Sequence, residues 1–244
     1  MIDIKYDLTT IDEKRMVVRE ALFRESSNIK SCKIDRISND DLFILFKQYN
    51  EVFLNDWFTK KFPGKMQFNL SRHMTRSAGI TKCPKNYNAK KPHENSITIC
   101  IGVDFFLKYD YLEGSKMVCG LETHNSLEAL QMVFEHELIH AIEFILFQKS
   151  SCKKNRFKDT VRNIFGHTKS HHQIPTNSII ASKKYGINIG DRVQFQFENA
   201  HLVGFIAKIN KRAVVMVRDR RGQFIDKQGV RYRKYYVPLG LLIK

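Results

Sequence analysis

The sequence predicts a protein of the α+β class: a small antiparallel sheet packed on helices, followed by a small β-barrel. Three strand-like segments precede one long helix that is apolar on nearly every side. Beyond residue 190, four short alternating segments follow one another between turn residues. These patterns divide the chain into an N-terminal extension at residues 1–36, a first domain at 37–172, a linker at 173–189 and the barrel at 190–244.

Two helices are predicted ahead of the sheet. The first spans residues 10–24, where Thr10 can act as the N-cap, and its few apolar positions suggest an appendage. The second begins near Ser38, because acidic residues fill the turn that follows, and its apolar residues recur at helical spacing over 42–54. The turn signal Pro63-Gly64 closes this part of the chain.

The sheet is predicted from three short segments with strand-like composition, at residues 65–70, 77–83 and 96–102. A polar loop that carries several lysines joins the last two, at 84–95. Strands of this length ahead of a buried helix indicate a small sheet that covers one side of that helix.

The long helix is predicted at residues 126–148, with Asn125 at its capping position and an apolar surface that indicates burial on most sides. A further helix at 156–165 ends at Gly166, a residue typical of helix C-termini. The strands of the barrel are predicted at residues 192–197, 202–210, 213–218 and 232–237.

The chain carries a large excess of positive charge. Its 41 Lys and Arg residues exceed its 25 Asp and Glu residues and give a net charge of +16. A surface this basic attracts polyanions, of which nucleic acid is the commonest, although a protein with surplus lysine alone has the same composition. We therefore expect DNA, single-stranded or duplex, as a partner.

The cysteines and the chain start bear on the cellular compartment. The five cysteines are odd in number, widely spaced and without a CxxC pair, which does not favour a disulfide framework. Residues 1–8 are polar rather than a signal sequence, and no run of about 18 apolar residues is present. We expect no membrane partner and a location in the cytoplasm or nucleus.

The centre of the long helix reads His136-Glu137-Leu138-Ile139-His140. Histidines four residues apart lie on one helix face, so two imidazoles can reach a single Zn²⁺ ion. Glu137 can then take a proton from water and return it to a leaving amine. The alternative is a pair of hydrogen-bonded core histidines with Glu137 at the surface, but burying these groups without partners is costly.

A catalytic zinc site needs a third protein ligand. Cys152 lies twelve residues after His140, just beyond the helix, and as a thiolate it is a good ligand for zinc. His167, His171 and His172 lie farther along the chain. A loop thiol without a metal is the alternative interpretation of Cys152.

Several separated motifs occur in one order: LFILFKQYNEVF, FNLSRHMTRSAGITKC, SITICI, FEHELIHAIEF and FKDTVRNIFGHTKSHH. With them the segment from Leu42 to His172 resembles the SprT-like (SprT/Spartan) zinc metalloprotease family. The resemblance covers a little over half of the chain. It implies a zincin-like domain in which His136 and His140 bind zinc, Glu137 is the catalytic base, and proteins bound or crosslinked to DNA are the substrates.

The chain departs from the family pattern at the third ligand. The family carries a His-Gly-x-x-Phe motif before its last helix, whereas this chain reads SCKKNRF, which places Lys153 at the position of the histidine and Cys152 one residue away. Either Cys152 replaces the histidine or the metal site is weakened.

The C-terminal segment resembles the small SH3-like barrel that follows SprT-like domains in some large DNA viruses. This resemblance implies a protein that acts in the cytoplasm or nucleus of a virus-infected host cell.

The tyrosines of this C-terminal segment alternate with cationic residues, a pattern suited to phosphate contact and base stacking. They are Tyr232, Tyr235 and Tyr236. A solvated strand face with core tyrosines is the alternative. The cationic residues are Lys208, Lys211, Arg212, Arg218, Arg220, Arg221, Arg231, Arg233 and Lys234.

The leading hypothesis is a zinc-dependent endopeptidase that cleaves proteins on DNA. The alternative is a nucleic-acid-binding module that keeps zinc without peptidase activity, and a zinc hydrolase with a non-protein substrate is a third possibility.

Overall fold

The computed structural model of the protein describes residues 2–84, 87, 91–172 and 174–244. The chain forms two compact units that divide between Ile174 and Pro175. Each unit combines helices with a small sheet, so the predicted α+β class is confirmed. Residues 85, 86 and 88–90 of the predicted polar loop, and residue 173 of the predicted linker, lie outside the described residues.

The four longer helices of the first unit lie where the sequence predicts them, whereas two short helices, at 57–61 and 104–107, were not predicted. Ser38 caps the second helix in a capping box with Asp41, as its sequence predicts. The first helix is instead capped by Asp7, whose carboxylate accepts a 2.9 Å hydrogen bond from the backbone N–H of Thr10, so the assignment of Thr10 as the cap was wrong. The helices are α1 (Leu8–Glu25), α2 (Asn39–Val52), α3 (Trp57–Lys61), α4 (Asp104–Leu107), α5 (Ser126–Phe147) and α6 (Asn155–Phe165).

Helix α1 is part of the first unit rather than an appendage. Its Ile11, Val18 and Leu22 are buried in the same apolar core as α2 and α5. The structure therefore differs from the predicted extension at residues 1–36. The burial of α1 is hard to predict from its amino-acid pattern, because the buried face of this helix also includes a charged residue, Arg15.

The sheet of the first unit contains β1 (Lys65–Ser71), β2 (Gly79–Lys82) and β3 (Ser96–Gly102) in the order β1–β3–β2. β3 pairs antiparallel with β2 but parallel with β1. The prediction of an antiparallel sheet was therefore wrong for β1. The chain places β2 at the far edge before β3 fills the centre, so β1 and β3 are not joined by a hairpin, and the apolar pattern of a strand carries no information about its direction.

A small hairpin that the sequence analysis missed lies between α4 and α5. It consists of β4 (Lys116–Val118) and β5 (Leu121–Thr123), which pair antiparallel. Cys119 and Gly120 form its two-residue turn with φ angles of 53° and 80°. Two positive φ angles in succession match the twist of paired strands, and three-residue strands are too short to show a period.

Helix α5 lies at the centre of the first unit. Asn125 caps it, and nearly all of its residues from Ser126 to Glu143 are buried. It packs against β2, β3 and α6, and Phe134 contacts the rings of Tyr49 and Phe68. In the part of the chain that the structure describes, neither α5 nor any other helix is long and apolar enough to cross a membrane.

The second unit begins with α7 (Asn177–Tyr185), which Thr176 caps. Ala181 of this helix and Ile187 after it belong to the core of the unit. The predicted linker at 173–189 is therefore helical over much of its length. The helix is only nine residues long, so its pattern contained too few turns to reveal a period.

The rest of the second unit is one antiparallel sheet in the order β6–β7–β8–β10–β9. Among the described residues, β6 and β9 stay at opposite edges, so the predicted closed barrel is not formed by strand pairing; a single bridge, Gln194 to Ile243, adds the C-terminus to β6. The strands are β6 (Arg192–Phe197), β7 (Ala200–Ile209), β8 (Ala213–Arg218), β9 (Phe224–Ile225) and β10 (Arg231–Val237).

Candidate metal centre

The candidate site is built on the middle of helix α5. His136 and Glu137 are 3% and 2% exposed, and His140 is partly buried one turn later. The start of the helix is fixed by Asn125 and by Ser126, whose hydroxyl accepts a 2.7 Å hydrogen bond from the backbone N–H of Ile34. The two histidines are therefore held inside the protein on a helix that cannot easily shift.

The imidazole rings of His136 and His140 converge on one point. Their Nε2 atoms are 3.1 Å apart, and their ring centroids are 4.8 Å apart. The ring of Phe157 packs on both, at centroid distances of 4.8 and 4.4 Å. Burial lowers the pKa of both histidines, that of His140 to about 4, so both rings are neutral at pH 7.

The proton of His140 is placed by a chain of hydrogen bonds. Ser150 Oγ donates to Glu143 Oε2 over 2.6 Å, and the other oxygen of Glu143 accepts from Arg156 Nε over 2.6 Å. Because the hydroxyl proton of Ser150 is used in this way, Ser150 Oγ accepts from His140 Nδ1, at 2.5 Å. The Nε2 atom of His140 therefore carries a lone pair that points at His136 Nε2, and this is the atom with which a metal ligand would bind.

Glu137 lies against strand β2. Its Oε2 is 2.7 Å from the hydroxyl of Thr81, and its Oε1 is 3.4 Å from Nε2 of His172. A Cβ atom at Gly79 would stand 2.7 Å from Glu137 Cγ, so only glycine leaves room for this side chain. Burial raises the pKa of Glu137 to about 7 despite the bond from Thr81, which lowers it.

Two sets of donor atoms can complete a metal site around His136. In the first, His136, His140 and Cys152 each offer an atom, and all three atoms lie within 4.8 Å of one another. In the second, the donor atoms of Cys119, His172 and His136 also lie within 4.8 Å of one another. His136, His140 and Cys152, the three side chains that the sequence predicted as zinc ligands, thus lie close together.

The remaining histidines are separated by their surroundings. His167 is buried and pairs with Glu135 over 2.8 Å, which removes it from the site. His171 is exposed. His172 instead lies beside Glu137, and its ring centroid is 4.6 Å from that of His136. The sequence named all three only as distant candidates, and the fold selects His172.

Cys119 was missed as a candidate. It lies in the turn of the β4–β5 hairpin, is fully buried, and belongs to no motif with the histidines of α5. Burial raises the pKa of its thiol well above the ordinary value. Only the packing of the hairpin on α5 places it near His136, so no sequence signal could have found it.

The cationic strand of the second unit presents two different faces. Arg231, Arg233 and Tyr235 alternate with Tyr232, Lys234 and Tyr236 along β10. Tyr235 packs on Phe195 and Phe197, whereas Tyr236 is 60% exposed. Lys234 lies 3.9 Å above the ring of Phe224 and Tyr232 contacts Phe205, so the face with Lys234 and Tyr236 combines a cation with accessible rings.

Comparison with known proteins adds no relative. No family model, no curated protein and no solved structure matches this chain. The resemblance to the SprT-like family therefore stays a prediction from the separated sequence motifs.

Proposed function

We propose that the protein is a zinc-dependent endopeptidase of the SprT-like type, with a zincin-like first unit, that cleaves proteins bound or crosslinked to DNA. The observation that carries the proposal is the convergence of the Nε2 atoms of His136 and His140, 3.1 Å apart on a buried helix, with Glu137 between them in sequence.

The residues fit a zinc ion. Two nitrogens that each bind tetrahedral zinc at about 2.0–2.1 Å are separated by about 3.3 Å, close to the observed distance. Both imidazoles are neutral, the Nε2 lone pair of His140 points at His136, and Cys152 adds a soft sulfur donor within 4.8 Å. A zinc ion bound there supplies Lewis acidity and makes a nearby water far easier to deprotonate.

Glu137 is suited to move the proton. A carboxyl group with a pKa near 7 can accept a proton from water and return it to a departing amine at neutral pH. Thr81 and Gly79 fix its position, and His172 lies on its other side. The chain's own contribution to the reaction is therefore an oriented, buried base.

Strand β2 offers a place for a peptide substrate. Among the described residues it is one of the two edge strands of the first sheet, and it carries Thr81, which contacts the carboxylate of Glu137. An extended peptide can add to a free strand edge through backbone hydrogen bonds. This geometry favours a peptide as substrate over a small molecule.

DNA is the proposed partner because of the charge of the chain and the second unit. The net charge of +16 attracts a polyanion, and the face of β10 with Lys234 and Tyr236 suits both phosphate contact and stacking. We propose that this unit is an SH3-like module that holds the enzyme on DNA.

The test is cleavage of a DNA-binding protein by the purified, zinc-loaded protein with and without DNA. We expect wild-type cleavage that DNA stimulates, and we expect Glu137→Gln to abolish it while zinc content and DNA binding are retained. Wild-type protein that binds zinc and DNA but cleaves no protein under these conditions would support the non-peptidase module instead.

A further inference from the structure

The second set of donor atoms around His136 is enclosed within the first unit. Cys119, His136 and His172 each offer one atom, and the three atoms lie within 4.8 Å of one another. Cys119 is fully buried, and the side chain of His172 is only 11% exposed. One thiol and two imidazoles are the ligand types that zinc and similar ions prefer in proteins.

Two buried ring nitrogens of this set have no hydrogen-bond partner. Nε2 of His136 faces Nε2 of His140 at 3.1 Å, so the nitrogen that His136 can offer to the second set is Nδ1. Among the described residues, neither Nδ1 of His136 nor Nε2 of His172 has a hydrogen-bond partner. Unpaired buried polar atoms are costly, and a metal ion enclosed by its ligands can satisfy them without an opening to solvent.

The sulfur atom of Cys119 can also serve as a ligand. Its thiol donates a weak hydrogen bond to the carbonyl oxygen of Met132 over 3.7 Å, an interaction that uses the proton and not the lone pairs of sulfur. A coordinating metal ion removes the thiol proton, and the resulting thiolate is a strong ligand.

The fold places Cys119 and His172 together. The carbonyl oxygen of Cys119 accepts hydrogen bonds from the backbone N–H groups of Thr168 and Lys169, over 3.2 and 3.0 Å. Thr168 Oγ1 donates to the carbonyl oxygen of Gly120 over 2.8 Å. The turn of the β4–β5 hairpin is thus bound to the segment that leads to His172, so the two donors are positioned as one unit beside α5.

We propose that Cys119, His172 and Nδ1 of His136 form a second metal position, which binds a zinc-like divalent ion in addition to the ion at the first set. Ligand atoms of tetrahedral zinc are about 3.3–3.6 Å apart, so the three donors need to approach one another by at most about 1.5 Å. The two nitrogens of an imidazole point in different directions, so His136 can bind one ion at each. Because this ring is shared and two cations repel, the second ion binds more weakly than the first.

The second ion would lie beside the candidate base. Nε2 of His172 is 3.4 Å from Oε1 of Glu137. A cation held by His172 would attract this carboxylate and compete with its use as a base. This consequence rests on the proposed function, and it predicts that excess zinc slows cleavage by the wild type but not by Cys119→Ala. The metal position itself does not depend on peptidase activity.

Uptake of cobalt by the full chain tests this position, after zinc loading and gel filtration and in buffer without peptide or DNA. We expect the wild type to keep its zinc, measured by elemental analysis, and to bind Co²⁺ with a thiolate-to-cobalt absorption band, which zinc does not give. Cys119→Ala should keep its zinc and lose the band. His172→Ala should weaken cobalt binding by more than about tenfold, since even the loss of a group that only orients a ligand costs about 10–100-fold. Cys32→Ala removes a half-buried thiol outside both donor sets and should bind cobalt as the wild type does.

Wild-type protein that binds no cobalt beyond its zinc, or a band that persists in Cys119→Ala, would overturn the proposal. Cobalt uptake matched by an equal loss of zinc would overturn it as well, because the two ions would then compete for one position. Circular dichroism establishes that the variants are folded, and Cys119→Ser, which gives no sulfur band, replaces Cys119→Ala if that variant is not. Protein that holds no zinc but still binds cobalt through Cys119 would refute the first set and support the second, so the two proposals fail separately.

Discussion

Arg15 and Glu135 form a bidentate ion pair in the core of the first unit, although 120 residues separate them in the chain. Arg15 Nε and Nη2 donate to the two oxygens of Glu135 over 2.9 and 2.8 Å, and Glu135 is fully buried. Arg15 Nη2 also donates to the carbonyl oxygen of Phe165. This single guanidinium joins α1 to α5 and to the end of α6.

Arg15→Met should therefore destabilise the protein strongly. Removing one partner of a buried ion pair leaves the other charge uncompensated, which costs about 3–5 kcal/mol. Arg19→Met is the control, because Arg19 meets Glu128 at 3.8 Å and both side chains are more than 20% exposed, so its loss should cost less than about 1 kcal/mol. Urea denaturation measures both, and equal midpoints for the two variants would contradict the central role of this pair.

Ser150→Ala should weaken zinc binding about 10- to 100-fold, the usual effect of losing a group that orients a ligand. The change removes the oxygen that accepts from His140 Nδ1 and so frees the ring to rotate or change tautomer. Ser151→Ala is the matched control, since that residue contacts Glu143 through its backbone N–H. Competition with a chelating dye gives both affinities, and identical values would show that Ser150 does not orient His140.

Gly79→Ala should lower the cleavage rate by about 10- to 100-fold without loss of zinc, because displacement of a catalytic group by about 1 Å has effects of this size. The new methyl group would meet Glu137 and Val133 at less than 3 Å. Gly240→Ala, where the nearest atom is 3.9 Å away, should be silent. Steady-state kinetics and metal content, measured together, distinguish displacement of the Glu137 carboxylate from loss of the metal. A fully active Gly79→Ala variant would show that the added methyl group does not displace Glu137.

The two donor sets around His136 predict different metal contents. If Cys152 is the third ligand, Cys152→Ala loses stoichiometric zinc, while Cys119→Ala and His172→Ala keep it. We expect this result, since the first set uses both histidines of α5. Elemental analysis after gel filtration decides it, and zinc retained by Cys152→Ala but lost from Cys119→Ala would assign the metal to the second set.

Lys234→Glu should weaken DNA binding by about tenfold or more and flatten its salt dependence, because Lys234 lies on the face of β10 proposed to contact DNA and each phosphate contact contributes to the slope. Lys234 lies 3.9 Å above the ring of Phe224, so its reversal also removes this cation–ring contact, and the melting temperature must be measured alongside. Lys60→Glu, at an exposed position on α3, is the control for net charge. Unchanged affinity of Lys234→Glu would place the contact surface away from this face of β10.

The elements with long or well-capped patterns could be predicted from the sequence. Helix α5 was placed with its cap at Asn125, and the bounds of β3, β6 and β8 agree with the segments predicted for them. In these elements, local propensity and burial favour the same structure. The central pair of the site followed in the same way, since the spacing of His136 and His140 on a helix determines that they share a face.

The features that the sequence did not reveal depend on tertiary contacts. The burial of α1 depends on the ion pair between Arg15 and Glu135, which lies far along the chain. The presence of one charged residue on a helix does not indicate which residue it pairs with. Cys119 and His172 reach the site only because a hairpin and the end of the first unit fold onto α5. The direction of β1 and the closure of the second sheet likewise depend on which strands pair. The two-residue alternation of a strand sequence does not specify its pairing partner.

The parallel pairing of β1 with β3 governs when the first unit can assemble. β1 remains without its hydrogen-bonded neighbour until the chain has been synthesised past Gly102, because its partner is the last of the three strands. Pairings between distant segments close slowly. During translation, β1 should therefore stay available to other strands or to chaperones, and the nascent chain acquires a stable sheet only once the following helix emerges to cover it.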